Sequence, residues 1–286
     1  MGVDERPLGI VGAGVMGRGI AQVAVTAGRP VILIDVDRDQ VARATEEVDR
    51  RLARLVEKGA LSDEQRVASM ARLGIGQTAT DLASCDVVIE AATESLEIKR
   101  TIVADLEAAC EETTILASNT SSLSIADIAD GALHPERLLG VHFFNPAPVM
   151  RLVEIIPGRA TSDATIEAAQ ALARALGKEP VIASDRPGFI VSRVLDVMIN
   201  EAVRCVMDGN DPADVDLAMR LGANLPIGPL ALADLMGLDI LKSVMERLES
   251  GFGSAAYAPA RLLVDLVEQG RLGRKSGRGF FDYPSP

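Results

Sequence analysis

The chain has no tryptophan, two histidines and three cysteines in 286 residues. Cys85, Cys110 and Cys205 are odd in number, far apart and outside any Cys-x-x-Cys pair. That pattern excludes a disulfide framework and a metal site, and fits reduced, packed thiols in a cytosolic protein. Basic side chains are also scarce: 29 Lys and Arg stand against 41 Asp and Glu, a net charge of −12. This balance argues against nucleic acid and anionic membrane surfaces as partners, while a small anionic cofactor answers to local groups only. Long apolar runs are missing too, since stretches such as 225–241 are interrupted by Pro, Gly and Asp, which excludes a membrane span. Asp4 and Glu5 stand where a signal peptide would be positive, and Arg6 stands where a myristoylation signal needs Ser or Thr. The expected location is the cytoplasm.

What is present is apolar substance, 48% of residues, over a length that suits about two domains. Leu8 to Val11 reads as a short buried strand running into Gly12-Ala-Gly14-Val-Met-Gly17. Helical spacing follows through Met16, Ile20, Val23 and Ala27, then Gly28 stops it, and Val31 to Ile34 is a second strand ending at Asp35. A lone Gly-x-Gly-x-x-Gly is weak, but here the strand, helix, second strand and acid are all in place for a dinucleotide. The glycines let the backbone approach a pyrophosphate, and the helix start at Val15 and Met16 supplies N–H donors. Asp35 is placed for the ribose hydroxyls and disfavours a 2′-phosphate, so NAD is expected over NADP, with Arg38 a mild counter-signal.

Strand patterns recur at 87–91, 115–117, 138–142, 152–156 and 180–183, alternating with helical segments. This predicts an α/β fold, a Rossmann-like doubly wound sheet whose ligands bind outside the carboxyl ends of the strands. A two-helix excursion occupies 38–72, with a capping box at Ser62 to Gln65 and a helix to about Arg72. It carries eight basic residues against seven acids, with Arg50, Arg51, Arg54 and Lys58 within two and a half turns. That face is either simply solvated or a grip on the phosphates of a substrate carrier. From Phe189 onward only helical periodicity remains: 189–207, about 212–221, 230–249 and 259–269. The expected domains are 1–186, binding NAD, and 187–286, an all-helical domain for substrate and dimerisation. No internal repeat or low-complexity tract interrupts them.

The chemistry is expected between Leu116 and Ile156. His142 closes an apolar run, Glu154 lies twelve residues later in another, and Asn119, Ser121 and Ser122 end the run before. A base, an acid to orient it and neutral hydrogen-bonding groups are what proton abstraction from an alcohol needs. Imidazole, titrating near neutrality as a residue type, suits reversible chemistry. His134 precedes Pro135 in a polar loop and reads as a solvated surface residue. For Glu154 the plainer alternative is a structural ion pair with Arg151.

These motifs resemble the 3-hydroxyacyl-CoA dehydrogenase family, including bacterial 3-hydroxybutyryl-CoA dehydrogenases, over nearly the whole length. The resemblance rests on residues 12–17, Glu94 with Lys99, Ser-Asn-Thr-Ser-Ser-Leu at 118–123, His-Phe-Phe-Asn-Pro at 142–146 and Leu-Val-Glu-Ile-Ile at 152–156. It continues through Pro-Gly-Phe-Ile-Val at 187–191, Leu-Pro-Ile-Gly-Pro-Leu at 225–230 and Leu-Gly-Arg-Lys-Ser-Gly-Arg-Gly-Phe at 272–280. It implies hydride transfer between C3 of a (3S)-3-hydroxyacyl-CoA and NAD. By resemblance His142 is the general base, Glu154 orients it, Ser121 bonds the substrate oxygen and Asn145 helps hold the site. Glu94, Lys99 and Asn119 are implied near the nicotinamide ribose, and Arg54 and Lys58 at the CoA phosphates. The helical domain is implied to cover the acyl chain and to form a homodimer.

The chain departs from the family at Ser192, where the family places Asn against the substrate, and at Tyr257-Ala-Pro-Ala-Arg261 and Phe281. The smaller Ser192 leaves room for another substrate group. A second expectation therefore keeps the hydride chemistry on a hydroxyacyl group, such as glyceryl, held by an acyl carrier protein. A third, of another class, is a catalytically silent NAD-binding paralogue.

Overall fold

The computed structural model describes residues 6–284. The chain divides into two compact units, one ending at Asp185 and one beginning at Arg186.

In the first unit β1 (Leu8–Val11), α1 (Val15–Thr26) and β2 (Val31–Ile34) follow one another without spare residues. Next come α2 (Arg38–Glu57), α3 (Asp63–Met70), β3 (Leu73–Ile75), β4 (Val87–Glu90), α4 (Leu96–Ala109) and β5 (Ile115–Ser118). The unit closes with α5 (Ile125–Ile128), β6 (Leu138–Phe143), β7 (Leu152–Pro157), α6 (Asp163–Ala175) and β8 (Glu179–Ile182). The eight strands form one sheet in the order β3-β2-β1-β4-β5-β6-β7-β8, parallel throughout except between β6 and β7. The chain reverses its direction of travel at β1 and β4, the switch point where such sheets bind ligands. This is the doubly wound Rossmann-like fold expected from the alternation of elements.

Packing explains the choice of residues. Leu8, Ile10, Leu33, Ile89, Val141, Val153 and Ile155 fill the sheet's core against Ile20, Ala21 and Ala24 of α1. Burying each large aliphatic side chain contributes about 1.5–3 kcal/mol. Helix α2 buries the stripe Val41, Ala44, Val48 and Leu52, starts on the Asp37 carboxylate and is followed by Gly59 at φ 69°. Helix α3 begins with the capping box of Ser62 and Gln65, as the sequence predicts, but stops at Met70. The expected run to Arg72 gives way to β3, a three-residue edge strand that pairs Leu73 with Val31.

The second unit is all-helical: α7 (Val191–Met207), α8 (Pro212–Gly222), α9 (Pro229–Met236), α10 (Leu238–Phe252) and α11 (Arg261–Glu268). Its core gathers Ile199, Val203, Leu230, Leu238, Leu241, Met245, Leu248 and Leu263. The single helix expected over 230–249 is two, broken at Gly237, whose φ of 105° no helix accepts. The Gly-rich tail is folded around Asp234, which accepts from the N–H groups of Phe280 and Phe281 and from the Tyr283 hydroxyl at 2.9–3.0 Å. Among the described residues no helix is long and apolar enough to cross a membrane, and no cluster of His, Cys, Asp and Glu could hold a metal ion.

Candidate functional site

The antiparallel step in the sheet builds a buried histidine–carboxylate pair. The return from β6 to β7 through residues 144–151 sets His142 directly opposite Glu154 in register. Cross-strand partners share a face, so both side chains point the same way. His142 Nδ1 lies 2.8 Å from Glu154 Oε2, and both side chains are buried, at 8% and 1% exposure. A carboxylate only accepts, so Nδ1 carries the proton and Nε2 presents the lone pair. The Phe144 ring packs on the imidazole at 4.4 Å between centroids. Arg151, the alternative partner, lies instead on the exposed Glu179.

The loop after β5 is tied to the same place. Asn119 is buried, and its side-chain carbonyl accepts from the Phe143 N–H at 2.8 Å, next to His142. Ser121 is held by Glu94, whose Oε1 accepts from the Ser121 N–H at 2.7 Å and hydroxyl at 3.0 Å. The Thr120 hydroxyl reaches the same oxygen at 3.1 Å. Lys99 is anchored within the protein. It is 1% exposed and donates to both oxygens of Glu90 at 2.8 and 2.7 Å, with Glu94 Oε2 at 3.6 Å. Glu90 also accepts from Ser118 Oγ at 2.6 Å and the Ala92 N–H at 2.7 Å. Lys99, expected near the nicotinamide ribose, is in this structure a buried anchor beneath the strand ends. Burial admits a lysine only with such a partner.

Asn145 is exposed, two residues past β6, before a cis bond to Pro146. The rest of that loop is pinned by Lys178, whose buried ammonium donates to the carbonyls of Ala147 at 2.7 Å and Met150 at 2.8 Å. Burial lowers the Lys178 pKa. Nothing in the sequence pointed to Lys178, which lies in the turn after α6.

The glycine-rich turn fits a dinucleotide on its own geometry. Gly12 has φ 102°, and a Cβ there would lie 2.7 Å from the Ala91 carbonyl. A Cβ on Gly17 would collide with the Gly12 carbonyl. At Gly14 a Cβ would meet no protein atom within 4 Å and φ is an ordinary −67°, so nothing inside the protein demands glycine there. The open space lies at the start of α1, where Gly14 provides no side-chain cap and the N–H groups of Val15 and Met16 have no acceptor within the helix. Asp35 accepts from the Ala13 N–H at 2.7 Å and the Asp37 N–H at 2.9 Å, so it shapes the turn as well as ending β2. Arg38 points to Gln77, 2.7 Å away.

On α2, Arg50 and Arg51 both pair with Glu47, whereas Arg54 and Lys58 are exposed and have no ion-pair partner among the described residues. Arg18 of α1, which the sequence reading passed over, joins this face. Its pKa is lowered by burial and then by the neighbouring Arg51 and Arg50. Ser192 sits half-buried in the first turn of α7 in the second unit.

A strand-ended glycine turn with an acid after β2, in one unit with a buried histidine–carboxylate pair, defines a nicotinamide-dependent dehydrogenase. The family model for the 3-hydroxyacyl-CoA dehydrogenase NAD binding domain matches residues 7–186, and that for the C-terminal domain of the same family matches 188–283. The chain belongs to the 3-hydroxyacyl-CoA dehydrogenase family and is an NAD-dependent oxidoreductase. It is 45% identical to 3-hydroxybutyryl-CoA dehydrogenase of Bradyrhizobium diazoefficiens, over 97% of this chain and 95% of that one. It is 40% identical to the enzyme of that name from Clostridioides difficile, over 96% and 99%. The crystal structure of (S)-3-hydroxybutyryl-CoA dehydrogenase from Ralstonia eutropha superposes with a TM-score of 0.95 at 44% identity, covering 98% of this chain and 100% of that one.

Proposed function

We propose that the protein interconverts a short-chain (3S)-3-hydroxyacyl-CoA and its 3-oxoacyl counterpart with NAD. The observation that carries the reading is the buried 2.8 Å contact between His142 Nδ1 and Glu154 at a strand end. In the oxidising direction His142 Nε2 takes the 3-hydroxyl proton, and in the reducing direction it returns it. Bound NAD supplies the hydride acceptor, and its reduced form the donor. Glu154 fixes the tautomer and stabilises the imidazolium that forms. Ser121 bonds the substrate oxygen, and Asn145 helps to orient the thioester. Gly12, Gly14, Gly17 and the N–H groups at Val15 and Met16 receive the pyrophosphate, and Asp35 the adenosine ribose. Asn119 keeps the nicotinamide end of the cleft in shape through Phe143. Arg54 and Lys58, joined by Arg18, receive the CoA phosphates, and Ser192 faces the acyl group. The protein works as a cytoplasmic homodimer in which the helical unit supplies the contact.

The test follows NADH absorbance with acetoacetyl-CoA. Turnover is expected with the wild type, and H142A is expected to lose it while still binding NADH. Unchanged turnover in H142A would remove that residue from the mechanism. Ser192, smaller than the Asn expected there, favours one second reading: the same chemistry on a carrier-protein-bound hydroxyacyl group. Rapid reduction of acetoacetyl-CoA at physiological concentration, with none of the same acyl group on a carrier protein, would sink that reading.

A further inference from the structure

We propose that Lys178 is a positioning residue for the substrate: it fixes the loop between β6 and β7 so that Asn145 stands correctly beside His142. The inference rests on the proposed role of Asn145 at the thioester.

Lys178 lies in the turn between α6 and β8, yet its side chain serves the loop at 144–151. It is 7% exposed, burial lowers its pKa, and among the described residues it has no carboxylate partner. A buried ammonium without a counter-charge is costly unless strong acceptors take up its protons. Here the acceptors are the carbonyls of Ala147 at 2.7 Å and Met150 at 2.8 Å, and both bonds are charge-assisted. Joining two adjacent strands does not call for so costly a device, since the ladder of β6 and β7 already sets their register.

The ammonium draws together two carbonyls of one turn. Within the same turn the Pro146 carbonyl accepts from the N–H groups of Val149 at 2.9 Å and Met150 at 3.1 Å. Ala147 is also buried against α1, where a Cβ on Gly19 would lie 3.2 Å from that of Ala147. Residues 146–150 are thus one block, held by Lys178 and by α1. Between this block and the end of β6 stand only Phe144, whose ring packs on the His142 imidazole at 4.4 Å, and Asn145. Asn145 is exposed, so the fixed backbone on either side of it sets its place. A group that meets a reacting thioester acts best when its place is set before the substrate arrives.

The experiment compares wild type, K178M, K178R and N145A, with both double variants, in the reduction of acetoacetyl-CoA. Each is given a melting curve, and NADH affinity is read separately from its own fluorescence. K178M keeps the length of the side chain and removes the donors. It is expected to lower kcat about 10- to 100-fold, the cost of misplacing a group by about 1 Å. NADH affinity should stay within about twofold of wild type, because no uniform cofactor binding is lost. K178R restores charged donors, and the cavity of about 450 Å³ lined by Lys178, Gln22 and Leu55 gives the guanidinium room, so part of the lost kcat should return. In the N145A background K178M should add little further loss. Losses in K178M and N145A that multiply would overturn the inference, and so would a matching loss of NADH affinity in K178M. An unimpaired K178M beside an impaired N145A would sink this inference alone. A fully active N145A would end the proposed role of Asn145 and take the inference with it. Should K178M not fold, K178R decides: a loss of kcat that disappears in K178R/N145A supports the inference, and one that persists there overturns it. A K178R as active as wild type beside an unfolded K178M would make Lys178 a folding residue and overturn it too.

Discussion

Glu154 is 1% exposed and has the imidazole nitrogen of His142 at 2.8 Å. Removing its charge while keeping its shape therefore tests orientation and charge stabilisation together. E154Q is expected to reduce kcat on the order of 10²- to 10⁴-fold with the fold intact, by analogy with the orienting acid of a catalytic triad. Steady-state kinetics beside a melting curve would check this; a fall in stability without a fall in kcat would make Glu154 a packing residue. At this scale the approach of Glu154 to His142 was legible, because a histidine and a carboxylate in apolar runs are conspicuous in a chain with so few histidines. The destination of Lys99 was not. Its partner Glu90 is an ordinary strand residue in the sequence, and only the close approach of α4 to the end of β4 brings the two together. Lys178 was invisible for a similar reason, since its partners are backbone carbonyls, which every residue has.

At the scale of elements, the first turn contains two glycines that differ in what requires them. Gly17 is demanded by the protein, because a side chain would run into Gly12, whereas Gly14 borders open space. G14A is expected to keep its stability within about 1 kcal/mol, the scale of a helix-cap change. The same variant should weaken NADH binding at least tenfold, which a fluorescence titration would measure in a chain free of tryptophan. G17A should instead lower the melting temperature; equal stability in both variants would refute the distinction. The glycine turn could be read because each neighbour it needs lies within thirty residues. Three features could not. The strand β3 has three residues, one of them Gly74, and is largely exposed. The break at Gly237 lies inside an unbroken apolar periodicity. The reversal between β6 and β7 is a matter of direction, which hydrophobic patterning does not encode.

Over the molecule as a whole, the buried carboxylates among the described residues separate into those with partners and one without. Asp216 accepts from the N–H groups of Leu230 and Ala231 at 2.8 and 2.9 Å, and Asp234 holds the tail. Gly228 and Gly279 leave the space those carboxylates occupy. Asp196 of α7 is 2% exposed, and its Oδ1 has no hydrogen-bond partner. Burial pushes its pKa from 3.8 up to about 7. The folded state keeps that proton until about pH 7 while the unfolded chain releases it near 3.8, so stability falls as pH rises between those values. The expected penalty above pH 7 is on the order of 4 kcal/mol. D196N should therefore melt several degrees higher than wild type at pH 8, with a smaller gain at pH 5. A pH-independent difference would show that ionisation of Asp196 is not its cause.

The hairpin of β6 and β7 has a consequence for how this chemistry is passed on. His142 and Glu154 sit on neighbouring strands of one short, continuous stretch, so they can be copied or moved between proteins as a single cassette. Lengthening the connection at 144–151 leaves the pairing register untouched, whereas losing one residue within either strand would turn a partner to the opposite face of the sheet. Change at the rim of the site, outside Asn145 and the Lys178 anchor on Ala147 and Met150, leaves the pair whole.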